Sequence, residues 1–267
     1  MKPIPAPNAI TLMYHDVIEP GQEHASGFPG AGADIYKLTR AEFAAHLSAI
    51  RDAVGERPTG LAAERWDIAT TPLLFTFDDG GASFYDPIAG MLEQCGWRGW
   101  FFISTGFLGT PGFMTPPQVA ELARRGHVIG SHSVTHPTRM AACSTDQLRR
   151  EWRDSVRTLE DITGTAIRTA SVPGGYYSPA VAQTAAEAGI RVLFNSEPVQ
   201  QGTHEGETAV LGRYAIQTGM PAGECAAFAR GDRWPALKQK LLWDTKKLVK
   251  GLGGTVYLKL REKLLAR

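Results

Sequence analysis

Cysteine is scarce in this chain: Cys95, Cys143 and Cys225 are the only three in 267 residues. The number is odd and no two stand at CxxC spacing. That argues against a disulfide framework or a zinc ribbon and fits a reducing compartment. No run of eighteen apolar residues occurs, so no segment reads as a transmembrane helix. The first eight residues hold three prolines and no apolar stretch of the kind a secretory signal needs. A cytoplasmic location is the expectation. Internal repeats and low-complexity segments are also missing, and the formal net charge is only +1.

That small net charge hides an asymmetry. Residues 230–267 carry eleven Lys/Arg against three Asp/Glu, which leaves the rest of the chain acidic. Apolar residues make up 43% of the sequence, enough for a sizeable core, and the length suits one domain of α/β barrel type. The expected organisation is a catalytic domain over 1–229 and a basic, amphipathic helical extension over 230–267. In that extension Leu237, Leu241, Leu248, Leu252, Leu260 and Leu264 interleave with lysines. The pattern suits a helix lying on an anionic membrane surface better than a nucleic-acid arm. Leucines packed on the barrel beneath a solvated lysine face would give the same pattern.

Short apolar runs alternate with amphipathic segments. Strands are expected at Ile10–Tyr14, Leu73–Phe77, Trp100–Ser104, His127–Gly130, Arg168–Val172 and Arg191–Phe194. Between them, Thr39 with Glu42, Thr115 with Gln118 and Ser144 with Gln147 are N-terminal capping patterns, and Ser178-Pro179 opens a further helix. A helix is also expected over Tyr85–Gln94, and loops over Pro20–Ala33 and Gln200–Glu207. Such alternation predicts parallel strands with helices packed outside, as a barrel or as an open doubly wound sheet.

Three strand ends carry titratable residues. Asp78 and Asp79 close an apolar strand in Thr76-Phe77-Asp78-Asp79-Gly80. Adjacent carboxylates repel unless a cation or proton lies between them. One can bind a metal while the other serves as a base. His132 and His136, in His132-Ser133-Val134-Thr135-His136-Pro137, have a spacing that converges on a divalent cation, with Pro137 favouring a loop over a long helix. His15, in Tyr14-His15-Asp16, stands at the end of the first strand. Taken singly these are an Asp-rich turn and structural histidines. Together they make a two-His, one-carboxylate set that leaves positions open for water and substrate.

The pair TFDDG and HSVTHP resembles the first two signatures of the polysaccharide deacetylases, carbohydrate esterase family 4 (the NodB-homology domain). The opening LMYHDV is similar to the branch that includes the poly-N-acetylglucosamine deacetylases. The resemblance spans residues 10–216. It implies a distorted, incomplete (β/α) barrel, one divalent metal held by Asp79, His132 and His136, and Asp78 as the base. Two departures stand out. Ser171-Val172-Pro173-Gly174-Gly175-Tyr176 matches the third signature, but Ser171 occupies the place of the arginine that braces the base. Arg213 is a candidate substitute. The family's C-terminal Leu-x-His is absent, and His15 is preferred over His204 as the acid. Pro173, Gly174, Gly175, Tyr176 and Arg213 are the expected substrate-side residues, with Phe107, Phe113 and Tyr177 as further aromatics for sugar stacking.

The activity implied is hydrolysis of an N-acetyl group on an amino sugar in a polysaccharide or lipid-linked glycan. Zinc is the first choice of metal, and cobalt, nickel and iron suit the same ligands. Two alternatives share the scaffold: a deformylase or other C–N amide hydrolase, and a catalytically impaired carbohydrate-binding homologue. A nucleic-acid partner is not expected. Peripheral association with the inner face of a membrane is expected through the basic extension.

Overall fold

The computed structural model describes residues 8–55 and 71–245. Its eleven strands are β1 (Ile10–Tyr14), β2 (Val17–Ile18), β3 (Leu38–Thr39), β4 (Leu73–Phe77), β5 (Gly99–Ile103), β6 (Val128–Ser131), β7 (Thr169–Ser171), β8 (Val192–Phe194), β9 (Thr203–Glu205), β10 (Thr208–Leu211) and β11 (Tyr214–Ala215). The helices are α1 (Ala31–Asp34), α2 (Arg40–Val54), α3 (Ile88–Gln94), α4 (Pro116–Arg124), α5 (Thr145–Thr163), α6 (Pro179–Glu187) and α7 (Ala222–Arg230). A last helix covers residues 233–245.

Nine strands form one sheet in the order β11-β1-β4-β5-β6-β7-β8-β10-β9, parallel except for β9, which runs antiparallel to β10. The order advances in one direction from β1 to β8, whereas a doubly wound sheet would reverse at a switch point. The sheet curls into an incomplete barrel whose two end strands are β11 and β9. Parallel strands of this kind are buried on both faces, and β1, β4 and β5 are buried at every position. Alternate residues therefore feed two cores. Leu12, Tyr14, Phe75, Phe77 and Phe101 pack outward against the helices. Leu74, Trp100, Phe102, Val192, Phe194 and Leu211 fill the barrel interior.

The capping patterns act as expected. Thr39 and Glu42 form a reciprocal capping box at the start of α2, Thr115 and Gln118 do so at α4, and the Ser144 hydroxyl accepts the Gln147 N–H at α5. Three expectations need correction. The loop expected over Pro20–Ala33 gives way to α1 at Ala31. The helix expected from Tyr85 starts only at Ile88, because Pro87 bars the preceding residue from helical geometry. The segment Gln200–Glu207 is not a plain loop. It contains β9, joined to β10 by a tight turn in which Gly206 takes a positive φ of 59°.

Candidate active site

Five parallel strands deliver the chemistry to one rim, at their C-terminal ends, where barrel folds carry function. His15 and Asp16 follow β1, Asp78 and Asp79 follow β4, His132 follows β6, Ser171 closes β7, and Arg213 follows β10. The non-glycine residues with positive φ among the described residues are Asp79 (88°), Ser133 (66°) and His136 (52°). Backbone strain thus concentrates where the side chains must converge. The turn at Asp79 separates it from Asp78, so two neighbours in sequence serve two places.

Asp79, His132 and His136 each present a ligand atom within 4.8 Å of the others. Nε2 of His132 lies 3.4 Å from Asp79 Oδ1, and Nε2 of His136 lies 3.3 Å from it. The hydrogen bonds around His132 test whether this triplet suits a metal. Ser171 donates its single hydroxyl proton to Asp78 Oδ1 at 3.0 Å. Nδ1 of His132 lies 2.5 Å from that hydroxyl oxygen and 3.0 Å from the Ser171 carbonyl. Nδ1 must therefore be the donor, and Nε2 is left with its lone pair aimed at Asp79. This is the tautomer that a metal ligand requires, fixed by a partner behind the ring. Burial alone would raise the Asp79 carboxyl; positive charge facing it from the imidazole side holds it well below the ordinary range, and with Nε2 of His132 unprotonated a bound cation would take that place. The triplet favours positive charge at its centre and fits a divalent cation.

Asp78 has a separate environment. Burial would push its carboxyl up, yet Arg213, with help from His132 and His15, brings it down to about 2. The Arg213 guanidinium donates to Oδ1 and Oδ2, each at 2.7 Å, and both side chains are buried. The same guanidinium donates to the Asn195 carbonyl and lies over the Phe102 and Phe194 rings. Arg213 therefore braces the candidate base from below and is fully buried, which corrects its placement on the substrate side. Ser171, small enough to fit between Asp78 and His132, links Asp78 to the Asp79–His132–His136 triplet.

The loop between the histidines is clamped by a residue that sequence reasoning missed. Glu151, on α5, accepts the N–H groups of Val134 and Thr135, both at 2.9 Å, and the Thr135 hydroxyl at 2.6 Å. A signal was present: Glu151 sits on the buried stripe of α5 with Leu148, Trp152, Ser155 and Leu159. Asp16 was likewise overlooked. It is buried, accepts the Ser26 and Ser83 hydroxyls at 2.5 and 2.8 Å, and ties the segment after His15 to the segment after Asp79. A Cβ at Gly81 would fall 1.9 Å from the Asp16 carboxylate, so only glycine permits that approach.

His15 stands beside the acids, close enough to lower the carboxyls of both Asp78 and Asp79. Its ring packs on Tyr36 at 4.6 Å, and its Nδ1 is buried with no hydrogen-bond partner among the described residues. His204 is elsewhere. It pairs with Ala209 near the start of β10, on the level of Val192 and away from the rim. Pro173, Gly174, Gly175 and Tyr176 form a turn on the rim beyond β7. Gly174 and Gly175 have φ of 61° and 68°, and a Cβ at Gly175 would strike Ser196. Local packing alone accounts for Gly175. Tyr176 faces Arg139. Phe107 and Phe113 stack on each other, and both meet Phe28 edge to face; the Phe28 ring backs His136 at 4.7 Å.

A triplet suited to a cation, with a second carboxylate kept ionised beside it, is built to turn water on an acyl group, and this puts the chain among the hydrolases. The comparisons with known proteins narrow the class. The family model described as polysaccharide deacetylase matches residues 69–193. The YxkH protein of Bacillus subtilis, whose name refers to polysaccharide deacetylases, is 22% identical over 222 residues, covering 81% of this chain and 74% of that protein. The peptidoglycan-N-acetylglucosamine deacetylase of Bacillus cereus is 28% identical over 139 residues, 51% of this chain and 62% of its own length. Among solved structures, IcaB of Ammonifex degensii superposes with a TM-score of 0.66 at 19% identity, over 85% of this chain and 98% of that one. The Streptococcus pyogenes deacetylase PplD gives 0.64 at 20% identity, over 83% and 96%. These likenesses show the same fold.

Proposed function

We propose that the protein hydrolyses the N-acetyl amide of an amino sugar within a polysaccharide or lipid-linked glycan, releasing acetate, and that it does so with one divalent cation. The observation that carries this reading is the pairing of the Asp79–His132–His136 triplet with a buried, arginine-held Asp78. Asp79, His132 and His136 would hold the ion, zinc first, which would supply Lewis acidity there. Asp78 accepts the proton of the attacking water. Its pKa of about 2 makes it a weak base but keeps it ionised, and so able to accept a proton, across the working range. His15 donates a proton to the departing nitrogen, since an amine leaves poorly unless protonated. The Gly175 N–H is engaged by the Val172 carbonyl at 3.1 Å, and the Tyr176 backbone N–H of the same rim turn is the donor toward the developing oxyanion. Pro173, Gly174 and Tyr176 shape the sugar's seat.

All three cysteines are free, which supports a cytoplasmic setting. The test is direct. Protein stripped by chelation is incubated with short N-acetylated and N-formylated amino-sugar oligomers, with and without added zinc, cobalt or nickel, and acetate and formate are measured. Metal-restored acetate release is the expected result. Formate release alone would move the reading to a deformylase. Stoichiometric metal without any product would leave a carbohydrate-binding homologue.

A further inference from the structure

Among the described residues, the helix over residues 233–245 is bound on one face and exposed on the other. On the bound face, the Gln239 side chain accepts the Ala215 N–H at 3.0 Å and donates to the Ala215 carbonyl at 2.9 Å. It thereby pairs with β11, the end strand of the sheet, as another strand would. Lys240 meets Glu197 at 3.3 Å, and Ala236 packs against the core. Trp243 reaches the rim turn: a Cβ at Gly175 would lie 3.3 Å from its ring. On the other face, Trp234, Leu237, Leu241 and Leu242 are 77, 49, 58 and 54% exposed. They are the exposed large hydrophobics among the described residues. Their spacing puts them along one stripe. The helix cannot roll to bury that stripe without breaking the Gln239 and Lys240 contacts.

What covers the stripe must also suit the charge that follows. Residues 246–267 contain seven Lys/Arg and a single acid, Glu262. Exposed tryptophan and leucine adjoining a cationic segment match an anionic lipid interface, where apolar burial and headgroup attraction add. Nucleic acid would use the cations but leave the stripe in water. We propose that the Trp234–Leu237–Leu241–Leu242 face docks on an anionic lipid surface, with residues 246–267 supplying charge attraction. Because Trp243 on the opposite side abuts the Gly174-Gly175 turn, docking holds the candidate active site beside the headgroups. On the deacetylase reading, which this extension rests on, the substrate is a glycan anchored in that same surface.

Flotation of the full chain with vesicles of phosphatidylcholine alone, or mixed with phosphatidylglycerol, tests the proposal. Wild type should partition onto the mixed vesicles, with binding weakened by salt. The triple variant Trp234→Ser/Leu237→Gln/Leu241→Gln alters only exposed positions. It should lose vesicle binding by at least roughly tenfold while its near-ultraviolet circular dichroism and its hydrolysis of a soluble oligosaccharide stay unchanged. Equal flotation of variant and wild type, no flotation of either, or no preference for the anionic lipid would overturn the docking surface. So would sedimentation equilibrium showing that the variant abolishes a dimer, since the stripe would then belong to a second copy. An Asp79→Asn chain should float as wild type does. Loss of the hydrolytic reading and loss of the docking reading therefore give different results.

Discussion

Arg213 reaches Asp78 across 135 residues of sequence and meets both its oxygens at 2.7 Å. The pair is buried, so its net worth lies less in stability than in fixing the charge and direction of one carboxylate. Ser171 completes the arrangement. Its hydroxyl links Asp78 to His132. The guanidinium comes from the β10–β11 connection, and the end of β7 contributes a hydroxyl.

Replacing Arg213 follows from this geometry. Arg213→Met should leave Asp78 buried without its partner, costing roughly 3–5 kcal/mol of stability. Turnover should fall by roughly 10²–10⁴-fold, as for loss of a general base. Arg213→Lys keeps the charge but not the two-pronged contact, and should lie between. Thermal denaturation and steady-state kinetics measure both effects. A lysine variant with full activity would show that charge alone suffices.

The metal triplet makes a second prediction. His136→Ala should remove bound metal and activity together, whereas Asp78→Asn should keep stoichiometric metal and lose turnover by roughly 10²–10⁴-fold. Elemental analysis of the purified variants separates the two. Metal retained after loss of both His132 and His136 would rule out the triplet.

Much of this site was legible beforehand, and the reasons are local. The strand ends at Tyr14, Phe77 and Ser131 are marked by apolar runs stopping at titratable residues, so the rim and most of its occupants could be named. The hairpin of β9 and β10 was not, because Thr203–Glu205 is a polar edge strand without alternation; the turn glycine, Gly206, was its single cue. Arg213 could be nominated but not placed, since nothing in its neighbours tells which of several rim carboxylates it meets. Glu151 and Asp16 act through backbone N–H groups and hydroxyls on other segments, a relation that spacing does not record. In the C-terminal extension, Leu237 and Leu241 are exposed rather than packed on the barrel. Residues 246–267, with Leu248, Leu252, Leu260 and Leu264, lie outside the described residues.

The acid can be assigned by comparing two histidines. His15→Ala should cost roughly 10²–10⁴-fold in turnover with metal content unchanged. His204→Ala, on the outer strand β9, should be mild. Acetate release at saturating substrate gives the answer, and a severe His204 defect beside a benign His15 change would reverse the assignment.

Glu151 should act on metal affinity through the loop it holds. Its carboxylate satisfies two backbone N–H groups and a hydroxyl between His132 and His136. Glu151→Gln keeps the shape but turns one acceptor into a donor facing donors. Metal affinity should drop roughly 10–100-fold, as when outer partners of ligands are removed. Competition against a chelating dye measures this apart from activity. An unchanged affinity would mean that the positive-φ residues Ser133 and His136 are held without the clamp.

The final prediction concerns stability in acid and a histidine away from the rim. His127 is buried, its Nδ1 accepts the Gly99 N–H at 3.0 Å, and its Nε2 faces Glu93 at 3.1 Å. An Nδ1 that accepts a hydrogen bond carries no proton, so the folded ring is neutral. Burial lowers its pKa, with Glu93 opposing, to about 4. The unfolded chain returns it to about 6.5. Above that value the ring is neutral in both states and stability is complete. As pH falls from about 6.5 toward 4, the unfolded chain takes up a proton that the folded protein refuses, and stability declines by up to about 3 kcal/mol. Below that window the folded ring also protonates and its contribution levels off. Glu93, held down to about 2 chiefly by Arg125, adds a separate loss at still lower pH as it protonates. His127→Asn can keep an acceptor for the Gly99 N–H while removing the titration. Chemical denaturation at intervals from pH 7 to pH 4 should show a shallower decline in this variant than in wild type. Parallel curves would place the acid sensitivity on other groups.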